Sequence, residues 1–155
     1  MTIEDDIAFF ERVPTLNAFG RPALRILAIG AESRFLQGGE VLFHAGDQAD
    51  SAYVIQEGSF GLLPQRAQSD DQEIVAVRGV LLGELAMLTP TTRLATATAL
   101  EPSTVIRISR GLFLKMLEGY PETALKLRDA LTDRADQWAR EMKNVRAGLQ
   151  TKGAK

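Results

Sequence analysis

Cysteine is absent from this 155-residue chain, histidine and tryptophan occur once each, and charge of either sign is not in excess. Without cysteine there is no disulfide framework, no thiolate metal site and no thiol nucleophile, which fits a reducing compartment. One histidine, His44, cannot supply the converging ligands that a metal enzyme on a β-roll needs. Nor does a serine elbow accompany it, so a Ser-His-Asp set is not expected. His44 reads as a strand residue with a surface or structural role. Long apolar runs are also missing. The densest early stretch, residues 23–29, contains Arg25 and is too short to span a bilayer. Residues 1–6 are acidic where a secretory signal would be basic. With 18 Lys and Arg against 20 Asp and Glu, the net charge of −2 gives no electrostatic reason to expect nucleic acid or an anionic membrane as partner. The expectation is a cytoplasmic protein with no metal, no cofactor, no membrane and no DNA partner.

What is present is the composition of one soluble domain, 45% hydrophobic and 25% charged, in a length that suits a single core. Ile3, Ile7 and Phe10 fall at helical spacing behind Asp5 and Asp6, and Pro14 closes that helix. A second helix is predicted over 21–31, with Pro22 in its first turn and Leu24, Leu27 and Ala28 as its apolar stripe. After Glu32 the period changes to two. Short β-prone runs at 34–36, 41–44, 52–56 and 60–63 are separated by Gly38-Gly39, Gly46-Asp47 and Glu57-Gly58-Ser59. A polar hairpin loop over 65–72 precedes a strand at 73–77, and two further strands at 95–100 and 104–108 turn through Glu101-Pro102-Ser103. Close spacing of short strands points to an antiparallel β-roll or jelly roll. Helical pattern returns at 112–118, stops at Gly119-Tyr120-Pro121, and resumes as a long helix over 122–149. The expected fold is α+β and mainly β. One domain fills 1–155, with N-terminal helices to residue 31, the roll over 32–110 and C-terminal helices over 111–149.

Chemistry concentrates in Leu82-Gly83-Glu84-Leu85-Ala86-Met87 and, after a short loop, Arg93-Leu94-Ala95-Thr96. Gly83 lets the backbone approach a ligand closely. One helical turn over 84–88, stopped by Pro90, would present free N–H groups to an anion. Arg93 returns a planar, permanently charged fork suited to phosphate oxygens. Glu84 is then free to accept from a ligand hydroxyl. The bland alternative for Glu84 and Arg93 is a buried salt bridge between two strands.

Gly83-Glu84-Leu85-Ala86, six residues, then Arg93-x-Ala95-Thr96 resembles the phosphate-binding cassette of cyclic-nucleotide-binding domains. That family includes the bacterial cAMP receptor proteins, the regulatory subunits of cAMP-dependent kinase and gated ion channels. The resemblance extends over roughly residues 20–120 and takes in Gly38-Gly39-Glu40, Gly46-Asp47 and Tyr53-Val54-Ile55-Gln56-Glu57-Gly58. It implies ligand contacts at Gly83, Glu84, Leu85, Ala86, Arg93, Leu94 and Ala95. Glu84 would meet the ribose 2′-hydroxyl and Arg93 the exocyclic phosphate oxygens. Amides around Leu85, Ala86 and Leu94 would complete the cradle, and the base would lie against Val75 and Ala76. The sequence departs from the pattern at Leu94, usually small or hydroxylated, which favours cAMP over cGMP. It departs again in Arg78-Gly79-Val80-Leu81-Leu82, a short approach without the usual Pro and Asp.

The resemblance therefore implies a non-enzymatic sensor of a cyclic nucleotide, cAMP before cGMP, that moves its C-terminal helices against an effector protein or a second copy. The alternative is a roll-shaped interaction module that no longer binds nucleotide. Leu131, Trp138 and Val145, with Ala135, Met142 and Leu149, repeat every seven residues and read as a homodimer seam. Trp138 is expected to pack rather than to cap the base. Lys143, Arg146, Lys152 and Lys155 read as a solvated helix face and tail. The cAMP receptor proteins continue into a helix-turn-helix past the point where this sequence ends, so direct DNA recognition is not expected.

Overall fold

The structure is a computed structural model and describes residues 2–64, 73–129 and 133. The polar loop expected at 65–72, the proposed seam with Trp138, and the basic residues of the tail lie outside the described residues. Helix α1 spans Ile3–Phe10 and opens with a reciprocal cap. The Asp5 amide donates to Thr2 Oγ1 at 3.1 Å, and the Thr2 amide donates to Asp5 Oδ2 at 3.1 Å. That pairing satisfies two amides a helix start leaves open, and the Thr2 amide holds the Asp5 carboxyl below its usual range. Helix α2 spans Arg21–Gly30, one residue shorter than the sequence predicts, and buries Ala23, Leu24 and Leu27. Ala28 is only partly buried against the same core. Arg21 pairs with Glu4 and Glu11, and Arg25 with Glu4, which staples α2 to α1 across an exposed surface.

The strands run β1 Glu32–Leu36, β2 Val41–Phe43, β3 Gln48–Ala49, β4 Ser51–Glu57, β5 Ser59–Pro64, β6 Ile74–Val77, β7 Leu81–Leu82, β8 Thr91–Thr92, β9 Ala95–Ala99 and β10 Ser103–Ser109. All pairings are antiparallel, in one sheet of order β1-β10-β4-β7, a second of order β2-β9-β5-β6, and the ribbon β3-β8. The fold is the expected antiparallel roll flanked by helices. The strands that sequence periodicity misses are β3, β7 and β8. Each has two residues, too few for an alternation to register. Helix α3 spans Arg110–Leu117 and is capped by Ser109, whose hydroxyl accepts from the Leu112 amide at 3.1 Å. After a turn at 118–119 a further helix, α4, begins at Pro121 and is described through 129. Proline fits that first position because its missing N–H has no intrahelical acceptor there.

Two cores meet at one sheet. Ala52 and Val54 of β4, with Ile106 and Ile108 of β10, face the helices and join Phe10, Leu24, Phe113 and Met116. Tyr53 and Ile55, with Val105, face the other way into the roll and join Phe60, Leu82, Ala97 and Ala99. The register pairs Val105 with Ile55 and Ile106 with Val54, so the two strands alternate in phase. A strand covered on both faces reads as a continuous apolar run rather than an alternating one. That is why residues 51–56 are buried without a break.

Truncation in either core is expected to be severe. Ile55→Ala in the roll should cost about 2–5 kcal/mol and Phe113→Ala under the helices about 3–5 kcal/mol. Val75→Ala, on an exposed position, should stay within about 0.5 kcal/mol. Urea unfolding midpoints check all three.

Candidate functional site

The short approach at 78–82 holds its shape by bonding straight to β4. Gly79, at φ 91, donates to the Ile55 carbonyl at 2.8 Å, and the Ile55 amide donates to the Val80 carbonyl at 3.0 Å. Strand β7 then pairs Leu82 with Tyr53 and delivers the chain to Gly83. Gly83 is left-handed, φ 76 and ψ 38, and caps a 3-10 turn over Glu84–Met87. The expected helical turn is therefore present. Its hydrogen bonds run from the Ala86 amide to the Gly83 carbonyl at 3.0 Å and from the Leu88 amide to the Leu85 carbonyl at 3.0 Å. The Ala86 N–H thus closes the turn itself and is not spare for a ligand. The Leu85 and Leu94 amides make no backbone hydrogen bond among the described residues.

Arg93 is the buried charge of the roll, 6% exposed. Its backbone is clamped on both sides by the Gly46-Asp47 turn: the Gly46 amide donates to the Arg93 carbonyl and the Arg93 amide to the Asp47 carbonyl, each at 2.8 Å. Thr96 buttresses that turn by accepting from the Ala45 amide at 2.9 Å. The guanidinium lies 4.3 Å above the Phe43 ring and 5.5 Å from the Tyr53 ring, an attractive stacking for a delocalised cation. Its Nη1 presses on Gly83, where any Cβ would collide with it. Gly83 is thus fixed twice, by its positive φ and by this approach. Nη1 is buried and has no hydrogen-bond partner among the described residues. Burial pushes the guanidinium pKa below its ordinary value, against the pull of Tyr53, Asp50 and Asp47. The salt bridge that could have joined Glu84 to Arg93 is not among the ion pairs of the described residues.

Glu84 is half-buried at the start of the turn, and its Oε2 accepts from Thr15 Oγ1. Leu94 is 57% exposed, in the bend between β8 and β9. Ala95 begins β9, paired with Pro64. Of the two residues expected behind the base, only one faces inward. Ala76 pairs with Phe60 of the roll core, whereas Val75 pairs with Gly61 and stands 55% exposed on the other face. Neighbours along a strand cannot line one face. His44 is on the surface, 3.9 Å from Asp47, and among the described residues no three His, Asp or Glu gather as a metal site would require.

Four contributors escape sequence reasoning: Phe43, Tyr53, Thr15 and Arg110. Arg110 opens α3, where a cation opposes the helix dipole, and that misfit was the available signal. Its side chain is held instead by carbonyls, donating from Nε to Ala86 O at 2.9 Å and from Nη2 to Ala49 O at 2.6 Å. One side chain thereby ties α3 to the turn and to β3.

The site is a helix-flanked roll in which a buried guanidinium, its Nη1 without a hydrogen-bond partner among the described residues, lies against a glycine-opened turn. The comparisons give the class its name. The family model for the cyclic nucleotide-binding domain matches residues 33–120, and the chain belongs to that family. A solved cyclic nucleotide-binding-like protein from Brucella abortus is 38% identical, with TM-score 0.64, across 74% of this chain and 98% of that one. The regulatory domain of Toxoplasma gondii PKA, solved with cAMP, shares the fold at TM-score 0.72 and 19% identity, across 87% of this chain and 50% of that one. Lysophospholipase NTE1 of Chaetomium globosum is 28% identical over 97 residues, and the match takes 62% of this chain but 6% of that protein's length. The chain therefore corresponds to a small part of that relative.

An unsatisfied buried donor is a stability cost kept at a site. Arg93→Met, which retains the apolar stem, should stabilise the nucleotide-free protein by about 1–3 kcal/mol. Gly83→Ala should destabilise it by about 1–2 kcal/mol from left-handed strain alone. Thermal unfolding without added nucleotide distinguishes the two signs.

Proposed function

We propose that the roll binds a 3′,5′-cyclic nucleotide, cAMP in preference to cGMP, and that the chain is a non-catalytic sensor that passes binding to its C-terminal helices. The observation that carries this reading is Arg93: a buried fork whose Nη1 lacks a partner and lies against Gly83. A desolvated guanidinium gains most from an anion that can accept in its own plane, and the cyclic phosphate has such oxygens. The Leu85 and Leu94 amides, with Glu84 beside them, supply the remaining donors and a hydroxyl acceptor. Ala76 and the partly buried Leu62, packed over Phe60, offer the apolar wall for a base. The PKA domain of like fold was solved with cAMP, which agrees with this ligand class. Preference for adenine rests on Leu94, which brings no hydroxyl to the base edge.

The route outward runs through Arg110. Its bonds to the Ala86 and Ala49 carbonyls make α3 respond when the turn shifts. Beside it, a cleft of about 560 Å³ lined by Leu88, Leu114, Leu117 and Leu125 lies between the end of the turn and α4. An open cleft at that place lets the helices take a second arrangement, which a ligand can select only by binding the two arrangements differently. The recipient is an effector protein or a second copy of the chain. Lysophospholipase chemistry belongs to the relative as a whole, and we assign this chain a regulatory part.

Titration calorimetry with cAMP and cGMP tests the ligand. Arg93→Ala should weaken cAMP binding by about 2–5 kcal/mol, as loss of one member of a buried charge pair does. Glu84→Ala should cost less, and Leu94→Thr should narrow the preference for cAMP several-fold by adding one hydrogen bond of about 0.5–1.5 kcal/mol. Equal cAMP affinity of parent and Arg93→Ala would reject the site and favour an interaction module without nucleotide.

The heptad spacing of Leu131, Trp138 and Val145 with Ala135, Met142 and Leu149 supports a homodimer through the final helix. Light scattering at micromolar concentration should give twice the 16.9 kDa chain mass. Trp138→Glu combined with Met142→Glu should return it to one chain mass, and a monomeric parent would reject the seam.

A further inference from the structure

Thr15 is the sole non-glycine residue with positive φ among the described residues, at φ 82 and ψ −53. It is buried, 5% exposed, between Val13 and Leu16 of the helix-side core. A β-branched side chain is among the least suited to that backbone. Glycine would take the turn without strain. The backbone bonds around it, from the Asn17 amide to the Val13 carbonyl at 2.9 Å and from the Phe19 amide to the Leu16 carbonyl at 3.0 Å, ask nothing of its side chain. What threonine adds over glycine is a hydroxyl, and that hydroxyl donates to Glu84 Oε2, 69 positions away in the chain. Strain of this kind persists where the surroundings impose it, and it gathers at functional sites.

We propose that Thr15 is a positioning residue for Glu84, and through it sets selectivity for ribose over 2′-deoxyribose in the bound nucleotide. This rests on the nucleotide reading given above. An ionised carboxylate only accepts, with two oxygens sharing one plane. A donor fixed by the helix core at Oε2 therefore fixes where the other oxygen stands. The bond from a sugar 2′-hydroxyl to Glu84 is strong only if the carboxylate is already turned to meet it, because a freely rotating side chain loses rotamer entropy on binding. Thr15 removes that rotation before the ligand arrives. The residue lies in the α1–α2 connection, so the N-terminal helices contribute to a site otherwise built from the roll.

The test compares dissociation constants for cAMP and 2′-deoxy-cAMP, by calorimetry on the full chain, in the parent and in Thr15→Val, Thr15→Ser, Thr15→Gly and Glu84→Ala. The parent should prefer cAMP about ten-fold or more, as expected for one hydrogen bond to a charged group. Thr15→Val and Thr15→Gly should both lower that ratio toward the Glu84→Ala value, while Thr15→Ser retains it. Thr15→Gly suits the positive φ and keeps the experiment meaningful should the valine variant misfold. Equal loss of affinity for both nucleotides with an unchanged ratio would assign Thr15 to packing alone and overturn the proposal. Tighter cAMP binding by Thr15→Val would make Thr15 a competitor of the sugar and overturn it as well. A parent that binds neither nucleotide would reject the nucleotide reading itself and the ribose selectivity with it.

Discussion

Everything in this fold hangs on a wall two strands wide. Strands β4 and β10 are the inner pair of one sheet, and each of their faces is a separate core. Helices α1, α2 and α3 close over one face, and the second sheet rolls over the other. Side chains that alternate across such a wall couple the two sides, since close-packed neighbours cannot shift independently. A disturbance at Tyr53 in the roll is one residue from Val54 under the helices. That construction places the helical layer and the interior of the roll back to back.

The site itself depends on keeping a cation dry. Arg93 is held by its backbone, through Gly46 and Asp47, and by aromatic faces, through Phe43 and Tyr53. Neither restraint satisfies Nη1. Desolvation of an ion is repaid only by a well-placed counterpart, and the same nitrogen lies against the glycine-opened turn. Two contacts then carry that turn to the helices: Thr15 reaches Glu84 from the α1–α2 connection, and Arg110 reaches Ala86 from α3. The turn is thus gripped at both its first and third residues.

Legibility of the sequence followed element length. Helices of eight and ten residues and strands of three to seven carry enough pattern to be recognised, and their boundaries fell within one or two residues of expectation. Pairs of residues such as Leu81-Leu82 or Thr91-Thr92 carry none, yet β7 and β8 are what aim Gly83 and Arg93. The cassette spacing was visible because its constraints are local: a glycine needed for a positive φ, a turn stopped by Pro90, an arginine after a fixed loop. The expected wall of Val75 and Ala76 failed in half because the pleat, not the composition, decides which of two adjacent residues faces inward.

By itself the sequence determined the class of fold, the place of the turn and the two charged residues at it, since backbone sterics and short-range spacing decide all three. Only the tertiary structure decided that Glu84 answers to Thr15 and not to Arg93, that the Ala86 amide is spent inside the turn, and that Arg110 bonds the turn from a helix start. Those partners lie between 24 and 69 positions apart in the chain, apart from the turn's own bond. A hydrogen bond over such separations is fixed by how two packed layers register against each other, which no local pattern of residues encodes.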